Sequence, residues 1–165
     1  MERIERIRAR LKREEYNNKY PRFIQENTDT FVKRLMDGKL AEQRVKAILE
    51  SLGAKVEDIS YEECDNHYSP FDLRATTPRG IFVIDVKNQI PSKKVFRIFK
   101  HQYPRWKAYE TKATKLIAFF NDRPRAQEYT KHLAYVLRCI RVDDIGDRRA
   151  IPFEETKEIN EIGII

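Results

Sequence analysis

Three charged residues interrupt two short apolar runs in residues 71–87: Asp72 lies in Phe71-Asp72-Leu73, and Asp85 and Lys87 lie in Ile81-Phe82-Val83-Ile84-Asp85-Val86-Lys87. Charges in apolar strands are costly unless something compensates them. Between the runs stands Thr76-Thr77-Pro78-Arg79-Gly80, a turn-like segment with Pro and Gly, so the stretch predicts a β-hairpin. Residues two apart on a strand share a face, which sets Asp85 beside Lys87. The first arm brings Asp72 to the same end of the hairpin. Two carboxylates with an ammonium on rigid strands suit metal-dependent phosphodiester hydrolysis.

These residues need a scaffold, and the chain has the length for one domain with a single core: 165 residues, 33 basic against 26 acidic, net charge +7. The basic balance favours a polyanionic partner, chiefly nucleic acid. Cys64 and Cys139 lack metal-ligand spacing and read as free thiols of a reducing, cytoplasmic compartment. The charged N-terminus has no secretory apolar core, and no run approaches a membrane span, so no membrane partner is expected.

Along the chain, residues 2–20 predict a charged helix with a narrow stripe of Ile4, Ile7 and Leu11, ended or kinked by Pro21. A second short helix follows over 30–36 and closes near Gly38. Residues 1–37 thus read as a helical extension packed on a core of 38–140, with 141–165 as a C-terminal tail that docks on the core or on a partner. From Leu40 to Gly53 a strong amphipathic helix carries Ala41, Val45, Ile48, Leu49 and Leu52 on one stripe, with Glu42 at its border. A carboxylate there either reaches for a cation or leans into solvent; taken alone, the solvent reading is favoured.

Residues 54–60 predict a strand, and residues 61–70 a polar loop with His67, a satellite of the site. The hairpin's second arm is apolar on both faces and belongs in the middle of a covered sheet. Residues 93–109 are basic and aromatic, with a helix started or kinked by Pro104. Lys93, Lys94, Arg97, Lys100, Gln102, Arg105 and Lys107 are its candidate nucleic-acid contacts, with Tyr and Trp rings for stacking. Equally, the rings pack on the sheet and the cations are solvated. Leu116-Ile117-Ala118-Phe119-Phe120 predicts a buried strand, residues 121–129 a turn and short helix, and residues 132–140 a last strand, with helix as the alternative.

The order Glu42 on a helix, Asp72 on a strand, and Asp85-Val86-Lys87 on the next strand resembles the PD-(D/E)xK nuclease superfamily, closest in style to small archaeal Holliday junction resolvases. The resemblance covers residues 39–120. It implies an α/β fold with a central mixed β-sheet flanked by helices, a restriction-endonuclease-like αβββαβ core. It also implies a Mg-dependent endonuclease acting on DNA junctions or flaps, with Mn²⁺ as a substitute ion. Glu42, Asp72, Asp85 and Lys87 would be catalytic. The ion would be held by Asp72, Asp85 and the Val86 carbonyl, with Glu42 reaching it through water or helping to hold a second one. Two sites on one junction would imply a homodimer. Four positions depart from the pattern or match it weakly: Phe71 stands where Pro is common, with Pro70 one place earlier; Asp85 replaces the resolvases' usual Glu; and Gln102 and Ser69 match a helix glutamine and a loop hydroxyl only loosely. Two other functions fit the same residues, a non-catalytic nucleic-acid-binding module and a nuclease subunit that acts only with a partner.

Overall fold

The computed structural model describes residues 21–64, 67–130 and 135–165; the helix expected over residues 2–20 lies outside them. The chain divides into two compact units, Met1–Leu40 and Ala41–Ile165. A single helix α1, Pro21–Ser51, replaces the two helices expected between 30 and 53. Pro21 stands at its first position, where proline loses no internal hydrogen bond; the expected end or kink of a preceding helix at Pro21 lies outside the described residues. Gly38 does not close it. A mid-helix glycine costs about 1 kcal/mol relative to alanine, and burial of Ala41, Val45 and Leu49 in the next turns outweighs that. The helix stops instead at Gly53, φ +97°. There Ala54 N–H donates to Leu49 O and Gly53 N–H to Glu50 O, the paired bonds of a Schellman cap.

Five strands form the main sheet in the order β1, β4, β5, β7, β8. They are β1 Lys55–Asp58, β4 Leu73–Thr77, β5 Gly80–Asn88, β7 Thr114–Asn121 and β8 Val136–Arg141. A two-stranded hairpin, β2 Glu63–Cys64 and β3 His67–Tyr68, lies within the segment expected to be a loop. The β4–β5 pair is antiparallel, as the turn at residues 76–80 predicts, with Leu73 opposite Ile84 and Thr77 opposite Gly80. β5 and β7 run parallel, so the chain crosses over between them through β6 Val95–Arg97 and helix α2 Gln102–Ala108. The result is a mixed α/β fold around a five-stranded mixed sheet.

Central β5 is buried on both faces, and the period of two sorts its side chains. Phe82, Ile84 and Val86 join Leu73, Leu116, Phe120, Val45 and Leu49 in one cluster, on the α1 side. Val83 joins Ile117, Phe119, Phe96 and Trp106 in the other, on the α2 side. Phe96 lies flat on Phe119, with ring centroids 4.0 Å apart.

Residues 141–165 are built into this core. They form α3 Val142–Ile145, β9 Ala150–Pro152 and α4 Ile159–Ile162. β9 pairs with β6, and Cys139 pairs with Lys157 beyond the end of β9. Ile159, Ile162 and Ile164 are buried against the α1-side cluster. Ile164→Ala is therefore expected to destabilise the fold by about 2–5 kcal/mol, the range for emptying a buried aliphatic site. Urea unfolding measures it, and a loss below about 0.5 kcal/mol, the size of a surface substitution, would return this segment to the status of a tail.

Candidate active site

The candidate site forms where β4 leaves β5. Beyond the pair Leu73–Ile84 the ladder opens, and Asp72 fills the opening from both its backbone and its side chain. Its N–H donates to Ile84 O at 2.9 Å, and its Oδ2 accepts the Val86 N–H at 2.8 Å. Asp72 therefore occupies a notch in the plane of the sheet. Because Ile84 O and Val86 N both face β4, the Val86 carbonyl shares that direction. Ser69 sets the chain's approach to the notch, its hydroxyl donating to Phe71 O and accepting the Phe71 N–H. That is a turn-forming role.

Asp85 and Lys87 project together from β5, as the period of two requires. Lys87 Nζ stands 2.8 Å from Asp85 Oδ2. The same oxygen accepts the indole N–H of Trp106 at 2.9 Å, and Lys87 lies 5.6 Å from the Trp106 ring centroid. Trp106 is buried, so it is not one of the stacking rings expected of this segment. The signal for this was present in the spacing: Tyr103, Trp106 and Tyr109 recur every three residues and form the inward stripe of α2. Lys115 was missed altogether. From β7 its ammonium donates to Trp106 O at 2.6 Å, fastening the end of α2 to the sheet, and burial lowers its pKa.

Trp106→Phe tests this support. It keeps the packed ring but leaves the buried Asp85 oxygen one donor short, with an expected cost of about 1–3 kcal/mol in urea unfolding. An unchanged stability would mean that the indole N–H does not hold Asp85.

Glu42 is buried, 6% exposed, and does not lean into solvent. It approaches from α1, on the sheet face opposite α2. The carboxyl of Asp72 is pushed well above the usual carboxylate range, first by burial, then by the negative charges of Asp85 and Glu42, and by a hydrogen bond with Asp85; the Val86 N–H acts the other way. Burial and the neighbouring negative charges thus favour the neutral form of Asp72.

Among the described residues, no three His, Cys, Asp or Glu side chains are gathered so as to hold a metal ion by themselves. Two carboxylates, a strand carbonyl and a third negative charge at longer range nonetheless match a hard cation that keeps most of its waters, as Mg²⁺ does. No protein-family model matches the chain, and no curated protein matches it.

The expected nucleic-acid contacts divide by geometry. Lys93, Lys94, Arg97 and Lys100 are exposed around β6. Gln102 is used locally, its Oε1 accepting the Phe99 N–H. Arg105 donates to Tyr68 O, and Lys107 pairs with Asp143 at 3.4 Å. The side chain of His67 lies outside the described residues. Cys64 and Cys139 are free, and burial pushes the Cys139 thiol up to about 12, which makes it a poor nucleophile. No helix among the described residues is long and apolar enough to cross a membrane.

Proposed function

We propose that this protein is a metal-dependent nuclease of the PD-(D/E)xK type, hydrolysing phosphodiester bonds in DNA, with junctions or flaps as preferred substrates. The observation that carries this reading is the meeting of Asp72, Asp85 and Lys87 at one notch of the sheet, with Asp72 held at a raised pKa. The elements of the main sheet also support it: helix α1, three antiparallel strands β1, β4 and β5, helix α2, then β7 parallel to β5, with the β2–β3 hairpin and β6 inserted between them. This order is compatible with the proposed αβββαβ core.

Asp72, Asp85 and the Val86 carbonyl would hold the Mg²⁺ ion, and Glu42 adds negative charge behind them. When bound, the ion supplies Lewis-acid polarisation of the scissile phosphate and a more acidic water. Lys87 is tethered by Asp85 and so presents its ammonium at a defined place, where it orients the attacking water and offsets charge developing on the phosphate oxygens. Trp106 and Lys115 do not touch substrate in this scheme. Trp106 fixes the Asp85 carboxylate, and Lys115 fixes Trp106 through the end of α2. Symmetric cutting of a four-way junction would take two copies of the chain.

The test is a cleavage panel of linear duplex, single strand, flap and four-way junction with Mg²⁺ or Mn²⁺, each with a chelator control. Cutting of at least one substrate that the chelator abolishes is expected. Binding with steep salt dependence and no cutting under any divalent ion would overturn the nuclease and leave a non-catalytic binding module.

A further inference from the structure

The carboxylate site leaves one surface of the same region unused. Between Asp85 and Glu110 the chain contains no acidic residue. β6 and the turns beside it spread the basic residues of this stretch over the surface. Lys93 and Lys94, at φ 52° and 60°, are the central residues of a two-residue turn. Ser92 and Val95 close it with N–H···O bonds of 2.9 and 3.1 Å, a type I′ turn whose twist matches its strands. The pairing of β9 with β6 sets Ala150 opposite exposed Arg97, and Ile98 N–H donates to Arg149 O at 2.8 Å just beyond it.

Among these charges the rings of Phe99 and His101 face water. Phe99 is 72% exposed, while Phe96 and Trp106 of the same segment are buried. The ring of His101 lies nearly parallel to it, 13° apart, with centroids at 6.0 Å. An apolar protein partner fits this place poorly, because covering the ring would strip water from the surrounding ammonium and guanidinium groups. A nucleotide meets both demands: its base offers a π-face and its phosphates offer charge.

We propose that Phe99, backed by His101, is a stacking platform for an unpaired nucleobase, with Lys94, Arg97 and Lys100 taking the flanking phosphates. This rests on the nuclease reading for its purpose, and two structural ties link the platform to the carboxylates. The Gln89 side chain, two residues beyond Lys87, clamps Arg97, donating to its carbonyl at 3.0 Å and accepting its N–H at 2.6 Å. On the other side, Gln102 accepts the Phe99 N–H and starts α2, and about 6 Å of helix rise then leads to Trp106, whose indole holds Asp85. A base can reach the platform only when it is not stacked in a continuous duplex. The substrate class is therefore DNA with an unpaired nucleotide near the cut strand, such as a flap or bulge.

The test measures binding of the full chain to fluorescent DNA in chelator, so that no cleavage is needed. The probes are a blunt duplex, the same duplex with a single-stranded flap, and a flap carrying 2-aminopurine. Phe99→Ala is expected to weaken flap binding about tenfold, the loss of one stacked base. It should leave blunt-duplex binding unchanged and abolish the 2-aminopurine quenching. Phe99→Trp should restore both, and Phe99→Leu, apolar but without a π-face, should not. Equal loss on flap and blunt duplex, rescue by Leu, or no loss at all would overturn the platform. The cleavage panel separates the two ideas: cutting with no Phe99 effect removes only the platform, whereas ring-dependent flap binding without cutting under any divalent ion keeps the platform and removes the nuclease.

Discussion

Asp85→Asn is expected to lower the proposed DNA cleavage by at least about a thousandfold while the protein stays folded. The amide is isosteric and keeps an oxygen for the Trp106 N–H, so the geometry of α2 against β5 survives. What disappears is a negative charge in the notch. About a thousandfold corresponds to roughly 4 kcal/mol of transition-state stabilisation, within what a correctly held cation supplies. Lys87→Met is the companion variant, with an expected loss of about 10²–10³-fold, as for removal of one preorganised donor. Its aliphatic chain still covers Trp106, but nothing offsets developing charge. Both are read as initial rates on the best substrate of the cleavage panel, with thermal unfolding and DNA binding measured alongside. Cleavage within about tenfold of the unaltered protein in both variants would remove Asp85 and Lys87 from the chemistry. The 2.8 Å contact between them would then stand as a structural ion pair.

The second large effect is on stability. The carboxyl of Asp72 sits well above its usual range because of burial, then Asp85, then Glu42. Its unfolded pKa is near 3.9. Between that value and the raised native one, the folded protein holds a proton that the unfolded chain has released. Stability therefore falls as pH rises through this window and stays at its lower level above it. Asp72→Asn removes the penalty and keeps an acceptor for the Val86 N–H. The variant is expected to be more stable than the unaltered protein at pH 7.5, with the difference vanishing below about pH 4, where both chains are neutral at this position. A divalent cation should replace the proton. Mg²⁺ or Mn²⁺ at a hundredfold excess over its dissociation constant adds about 2.7 kcal/mol to the unaltered protein, and little to the variant. Urea unfolding across pH, with and without the ion, reads both effects. A variant less stable at neutral pH, with an equal response to the ion, would mean that Asp72 is a satisfied structural carboxylate and not a ligand.

The hairpin at the centre of the sheet was legible because its signals are local. Pro78 and Gly80 punctuate two apolar runs, and the period of two puts Asp85 and Lys87 on one side whatever the rest of the chain does. The burial of β5 on both faces was legible for the same reason, from an unbroken apolar run. The helix boundaries were not. Gly38 has a breaking and a tolerated use, and packing further along α1 decides between them. Glu42 shows the same limit: its position at the stripe's border was readable, but its burial depends on which layer covers α1.

By itself, then, the amino-acid sequence determined the strand pair, its turn, and the placement of two carboxylates and an ammonium at one end of it. Only the tertiary structure decided what surrounds them. It turned Trp106 inward onto Asp85, anchored α2 through Lys115, drew residues 141–165 into the core, and paired β9 with β6. The physical reason is separation along the chain. Periodicity and turn chemistry act between neighbours, whereas burial, desolvation and Coulombic repulsion act between whatever residues the fold brings together, and those forces raise the pKa of Asp72.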